Sequence, residues 1–207
     1  MGKSAEQPGQ PSTGEIMAAR RARHPKLIEA LVADARITAA YRGERFKFRS
    51  RLDACTQIVR LAIVSDAFFA QSCYRVKARL QALGVPVLPR IAHRAAMMIA
   101  QVSIGDTVVI APGLYLFHGQ VVIDGLTEIG AAARIAPFVT IGLREGHFDG
   151  PTIASNVFIG TGAKIIGPVH IGHRARNGAN AVVVSDVPAD ATATGVPAQI
   201  HVSAAAD

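Results

Sequence analysis

The sequence predicts an α+β chain, with an N-terminal helical segment followed by a parallel β-helix built from six-residue repeats. Three observations carry that expectation. Before residue 100 apolar residues recur at three- and four-residue spacing, and after it they recur every six. A Gly or Ala directly follows the repeating aliphatic at positions 105, 111, 130, 136, 142, 154, 160 and 172. Half of the 207 residues are hydrophobic, yet aromatics make up only 5% and Trp is absent. The core must therefore be assembled from small and β-branched side chains, which suits narrow, regular packing.

Residues 1–14 are rich in Pro, Gly, Ser and Gln and read as a disordered leader. The leader has no apolar run of signal-peptide type. Residues 15–100 form the predicted helical domain. In "KLIEALVADARITAAY" Leu27, Ile28, Leu31, Ala35 and Ile37 fall mostly at helical spacing. "LDACTQIVRLAIVSDAFFAQSCYRVKARLQALG" continues the helical pattern and stops at Gly84, a good C-terminal cap. Pro86 and Pro89 punctuate the chain, and "RIAHRAAMMIA" is a last short helix.

Residues 101–200 carry the repeat. Ile104, Ile110 and Leu116 are six apart, a seven-residue step leads to Ile123, and Ile129, Ile135 and Ile141 resume the sixes. A polar insertion, "LREGHFDG" from Leu143 to Gly150, precedes Ile153, Ile159, Ile165 and Ile171. Such self-similarity is the mark of a stacked architecture. Each six-residue unit supplies one short strand and one turn, and three units close a triangular coil. The aliphatic residue points inward onto its equivalent one coil away, and the small residue after it lets the chain turn. Stacked coils need covered ends, for which the helical segment and the chain after Val183 are the candidates. Residues 201–207 are a short tail.

The formal charge is +7, with the positive residues concentrated before Arg94 in segments such as "RRARHPK" and "YRGERFKFRSR". No zinc-finger spacing or RNA-binding aromatic motif accompanies them, so no nucleic-acid partner is expected. A solvated helical face, or attraction of an anionic cofactor, accounts for the charge. Cys55 and Cys73 read as two buried free thiols. Apolar runs are broken by Arg60, Asp66 or Gly, so no membrane span and a cytoplasmic location are expected.

The repeat resembles that of the hexapeptide acyltransferases, and within them the chain looks most like the serine acetyltransferases. The resemblance rests on "GLYLFHGQVVIDG", "VTIG", "PTIASNVFIGTGAKIIGPVHIG", "GANAVV", "DVPADATATGVPAQI" and the helical "AFFAQSCYRVKARLQALG". It covers roughly residues 30 to 200. It implies a left-handed β-helix, a homotrimer or dimer of trimers with active sites between subunits, and transfer of an acetyl group from acetyl-CoA to a small acceptor. It implies no metal.

Histidine suits the task because an alcohol must lose its proton as it attacks a thioester, and the imidazole pKa lies near working pH. His118 matches the family's catalytic base. The resemblance places Phe117 where the family has an acceptor-binding aspartate, and Ser103 where it has the aspartate that orients the imidazole. Asp124, Glu128 or a backbone carbonyl are the substitutes for that orienting role. Arg144 and His147, in the polar insertion, correspond with some displacement to an Arg-His pair that binds the acceptor carboxylate, and His147 is the alternative base. Asp34 aligns loosely with an acceptor-binding aspartate, a surface helix carboxylate being the other reading. Gly142, Thr161, Gly162, Gly178 and Ala179 correspond to the lining of the coenzyme A slot, and Lys164 and Arg176 to charges near its phosphates. Asn177 falls where the six-residue phase calls for an aliphatic.

Three functions remain open at this level. One is O-acetylation of serine or a related small hydroxy-amino acid. The second is O- or N-acetylation of an amino sugar, polysaccharide precursor or specialised metabolite, which an apolar Phe117 favours. The third is a non-catalytic scaffold. His170 and His173 lie too close along one repeat to match a zinc site between subunits. The ending "QIHVSAAAD" lacks the family's terminal isoleucine for docking to the next enzyme of cysteine synthesis.

Overall fold

The aliphatic ladder forms as its spacing requires. In the computed structural model, which describes residues 12–147 and 149–202, fifteen short strands wind into three sheets. The first holds β1 (Val102–Ile104), β4 (Val121–Ile123), β7 (Thr140–Gly142), β10 (Lys164–Ile166) and β13 (Val182–Val183). The second holds β2 (Val109–Ile110), β5 (Glu128–Ile129), β8 (Thr152–Ile153) and β11 (His170–Ile171). The third holds β3 (Tyr115–Leu116), β6 (Arg134–Ile135), β9 (Phe158–Ile159), β12 (Arg176–Asn177), β14 (Thr192–Thr194) and β15 (Gln199–His201). All pairings between coils are parallel, and Ile104, Ile123, Ile141, Ile165 and Val183 stack in register. Only β15 runs antiparallel, folding back on β14 to cover the last edge of the third sheet. The result is a left-handed β-helix whose inward column is almost entirely Ile, Val, Leu and Ala.

Five helices precede the coils: α1 (Thr13–Ala22), α2 (Leu27–Tyr41), α3 (Arg51–Val64), α4 (Asp66–Ala82) and α5 (Leu88–Ala100). Residues 1–11 of the expected leader, and residues 203–207 of the tail, lie outside the described residues. Helix α1 starts at Thr13, inside the span assigned to the leader, because Ser12 and Glu15 close a reciprocal capping box. The long helical run is also not continuous. Ser65 adopts an extended conformation, ends α3 by donating its N–H to the Leu61 carbonyl and starts α4 by accepting the Phe68 N–H on its hydroxyl. A serine followed by an acidic residue is a helix-start signal, and it outweighs the helical spacing around it.

The first coil presents an unpaired strand edge to the helical domain, and buried backbone groups there must find partners. Helix α4 supplies them. Gln71 bonds the Leu114 carbonyl (2.6 Å) and the Leu116 N–H (3.3 Å). Tyr74 donates to Val108 O (2.9 Å) and accepts from Ile110 N (3.2 Å). Arg75 donates to the carbonyls of Ile110 and Ala111, and Lys77 to that of Ile104 and to Asp106. Burial raises the Tyr74 phenol well above its usual value. Arg75 and Lys77 are 3% and 2% exposed, so part of the charge assigned to a solvated face is instead the seal of the β-helix.

Asp34 completes the seal, which corrects both sequence readings of it. It is fully buried, forms a two-pronged ion pair with Arg75 (2.8 and 3.1 Å), and accepts the N–H groups of Gly113 and Leu114 at 2.8 Å. No lone pair is left facing a ligand site, so it holds the fold rather than an acceptor. The thiol expectation is also corrected in part: both cysteines are free, but Cys55 is exposed and Cys73 only half-buried, with burial pushing its thiol up. Asn177 sits in the inward column between Ile159 and Ala193, fully buried, with neither amide atom hydrogen-bonded. Among the described residues no helix is long and apolar enough to cross a membrane.

Candidate active site

The seven-residue step between Leu116 and Ile123 builds the corner that carries His118. Other corners on this edge bond to the coil beneath, as Gly162 N does to Pro137 O (2.9 Å) and Asn180 N to Thr161 O (2.8 Å). The first corner has no coil beneath it. Gln120 N bonds instead to the carbonyl of Ala100, the last residue of α5, at 2.9 Å. Gly119 lies so close to that helix end that a Cβ would meet Ala100 O at 1.8 Å. Only glycine fits, and the position of the neighbouring His118 is set by the end of α5.

His118 is exposed and lines a cavity of about 370 Å³. Its walls come from the corner itself (Phe117, Gly119, Gln120), from the end of α5 (Ile99, Ala100), and from the α3–α4 break. Three of the lining residues bear directly on chemistry and escaped the sequence reading: Arg42 after α2, and Ser65 and Asp66 at the break. Asp66 was the recoverable one, because the Ser-Asp start signal would have marked the break that exposes it.

Phe117 is half-buried and belongs to an aromatic wall. Its ring lies 4.7 Å from Tyr115 and 6.1 Å from both Tyr41 and Phe158, and Tyr41 stacks on Tyr115 at 4.7 Å. Arg134 lies over both Tyr41 and Phe158, and Arg176 over Phe158 at 5.2 Å. The outer face of the third sheet thus alternates Tyr115, Arg134, Phe158 and Arg176 in strand register. Arg176 spends its guanidinium plane on this face.

Thr161, Gly162, Gly178 and Ala179 recur on the same edge as His118, two and three coils further along. At about 5 Å per coil this places them roughly 10 and 15 Å from it along the axis. Gly162 needs its glycine, having φ +73° and room for a Cβ only 2.0 Å from the Asn180 carboxamide oxygen. Between these levels stands Phe138, 53% exposed, whose carbonyl accepts from Lys164 Nζ at 2.6 Å. Lys164 therefore sits beside this edge with its head held by backbone.

Gly142, Arg144 and His147 are elsewhere. Gly142 ends β7 at the next edge round the coil, and the polar insertion leaves from there. Arg144 and His147 are exposed, and His147 N bonds to Arg144 O at 3.0 Å. Within one chain these residues do not converge with His118. Neither proposed carboxylate partner of His118 reaches it. Asp124 accepts the Gly125 N–H on the loop edge, and Glu128 on the second sheet is held by Arg20 and Arg23. Ser103 lines a different cavity, with His93, Asp106 and Asp124. Among the described residues no group of three His, Cys, Asp or Glu side chains is arranged to hold a metal ion.

No family model matches the chain. A serine acetyltransferase of Synechococcus elongatus is 36% identical over 137 residues, which cover 64% of this chain and 56% of that protein, so the chain spans little more than half the relative's length. A serine acetyltransferase of Helicobacter pylori is 38% identical over 131 residues, 61% of this chain and 76% of that one. Among solved structures, the serine acetyltransferase of Neisseria gonorrhoeae superposes with a TM-score of 0.71 at 28% identity, over 90% of this chain and 69% of its own. A serine acetyltransferase in complex with CoA superposes with a TM-score of 0.69 at 26% identity, over 90% and 74%.

Proposed function

This chain belongs to the serine acetyltransferase-like family of hexapeptide-repeat acyltransferases, and on that premise we propose that it transfers acetyl from acetyl-CoA to the hydroxyl of serine or a related small hydroxy-amino acid. The observation that carries the reading is the His118 corner: a histidine fixed by Gly119 against α5, opening on a cavity, with small residues on the same edge above it.

In the proposed reaction His118 takes the proton of the acceptor hydroxyl as its oxygen attacks the thioester carbonyl. The carbon–sulfur bond then breaks, and the imidazolium returns the proton to the leaving thiolate. Thr161, Gly162, Gly178 and Ala179 line the path of the pantetheine arm, where exposed backbone groups meet its amides. Lys164 and Arg176 supply positive charge toward the phosphates, and Gly142 contributes to the slot from a neighbouring subunit. A homotrimer, or a dimer of trimers, brings the insertion of one subunit over the His118 edge of the next, with Arg144 and His147 at the mouth of the cleft. Exposed Leu52, Val59 and Ile63 on α3 and Ile91 and Met98 on α5 support such assembly, because apolar surface of this extent favours burial against another copy.

A second acceptor class is favoured by the aromatic wall. Phe117, which lines the cavity and is backed by the buried Tyr115, suits the apolar face of an amino sugar or specialised metabolite, acetylated on oxygen or nitrogen. Thiol release from acetyl-CoA against serine, homoserine, threonine and amino sugars separates the two. Serine turnover that falls about 10²–10⁴-fold in His118→Ala supports the first reading. Turnover that survives in His118→Ala and is lost in His147→Ala moves the base to the insertion, and silence with every acceptor leaves a scaffold.

A further inference from the structure

The polar insertion that bears Arg144 and His147 rests on the corner formed by Gly125, Leu126 and Thr127. At its start, the Leu143 side chain fills the space where a Cβ on Gly125 would stand. At its end, Gly150 lies against the Leu126–Thr127 peptide, where a Cβ would come within 2.6 Å of the Thr127 hydroxyl and 2.9 Å of its backbone nitrogen. Thr127 is fully buried, and its hydroxyl ties the corner together by donating to the Asp124 carbonyl at 2.5 Å. Both feet of the insertion therefore stand on the same three residues.

Helix α1 grips that corner. Arg20, only 7% exposed, donates from one guanidinium nitrogen to the Leu126 carbonyl and from the other to Glu128 Oε1 at 2.5 Å. Arg23 shares the same helix face, three residues on, and donates to both oxygens of Glu128, with 2.6 Å to Oε2. Burial raises the Glu128 carboxyl, but the hydrogen bonds and charges of Arg23 and Arg20 outweigh it and hold the group below its ordinary value. The carboxylate is therefore ionised near neutral pH and the grip stays closed. The two arginines differ in what they hold. Arg23 reaches a side chain alone, whereas Arg20 also binds the main chain on which the insertion stands. A planar guanidinium engaged at two points fixes direction as well as distance.

We infer that Arg20 is a positioning residue for the acceptor site, acting through the Leu126 corner to hold the insertion, with Arg144 and His147, over the His118 edge of the neighbouring subunit. The assignment rests on the assembly and acceptor roles proposed above. It gives α1 a part in a site that its own subunit does not complete, since the first helix of one subunit governs acceptor binding in the next.

Limited proteolysis of the full chain reads the grip, and steady-state kinetics read its consequence. Arg20→Gln should speed tryptic cleavage after Arg144 by about tenfold, while cleavage after Arg174, an exposed residue at a different edge, stays as in wild type. Arg23→Gln should speed it by about twofold or less, because Arg20 keeps the Leu126 carbonyl. Arg20→Lys retains the charge and one of the two contacts. It should give about threefold, and it carries the test if Arg20→Gln does not fold. In thiol-release assays Arg20→Gln should raise KM for L-serine by about tenfold and leave KM for acetyl-CoA within about twofold, with Arg20→Lys recovering most of the loss. A merely structural role moves both KM values or neither. The assignment is overturned if cleavage after Arg144 is unchanged, if cleavage after Arg174 speeds equally, if Arg23→Gln acts as strongly as Arg20→Gln, or if the two KM values rise together. Faster cleavage at Arg144 alone, in a protein that releases no thiol with any acceptor, supports the grip on the insertion and removes the acetyltransferase reading alone.

Discussion

The first and fourth coils of the β-helix both bury polar groups, and they treat them in opposite ways. Around the first coil, Asp34, Gln71, Tyr74, Arg75 and Lys77 enter the interior with a hydrogen-bond partner for each polar side-chain atom. In the fourth, Asn177 enters the same dry column with no partner at all. The comparison separates two meanings of buried polarity. Where a strand edge meets a helix, charged side chains replace the missing next coil. Where the coils already satisfy one another, an amide adds only a desolvation cost.

The sharpest way to break the first coil is to leave its arginine uncompensated. Asp34→Ala strands Arg75 in the interior and frees the N–H groups of Gly113 and Leu114. It is expected to cost about 3–5 kcal/mol in denaturant unfolding. A loss under about 1 kcal/mol would mean that water reaches this site, and the distinction between the coils would fall.

The fourth coil should respond in the other direction. Asn177→Val removes the unpartnered amide and places a small, β-branched residue in the inward column. It is expected to gain about 1–2 kcal/mol, read as a rise of about 2–8 °C in Tm. A lower Tm would show that the amide is satisfied by something within the coil.

The smallest effect tests the margin of the seal. Burial first, then the charges of Arg75, Lys77 and Arg20, lowers the pKa of His24 from 6.5 to about 4. The unfolded chain binds that proton near pH 6.5 while the folded chain does not, so its contribution is fully present above 6.5 and is lost as pH falls toward 4. His24→Gln should flatten the dependence of Tm on pH across that window and leave it unchanged above pH 7.

These contrasts also show why the fold was more legible than the site. The Ile ladder is local and repetitive, so its period survives in one dimension. The seal does not. Gln71, Arg75 and Lys77 look like the polar face of any helix, and only the unpaired edge of a coil some 35 residues later makes them interior. Asp34 was misread for the same reason, since its partners lie at Arg75, Gly113 and Leu114. His118 was legible because a motif and a break in phase coincide there. Asp66 and Arg42 were not, because their cavity joins three separate stretches of chain. Ser65 is the exception, a local signal overridden in the reading by the apolar spacing on both sides.

The extra residue between Leu116 and Ile123 marks one turn of the β-helix as unlike the rest. A strict six-residue rhythm has no memory of position: any coil can exchange places with the next, and the chain can slip by one turn. One miscounted beat at the His118 corner abolishes that equivalence. Since Gln120 takes its partner from Ala100 rather than from a coil, the rhythm can start only where α5 stops. The helical domain is therefore the origin from which the coils are counted, and a β-helix severed from it would have no fixed first turn on which to place a histidine.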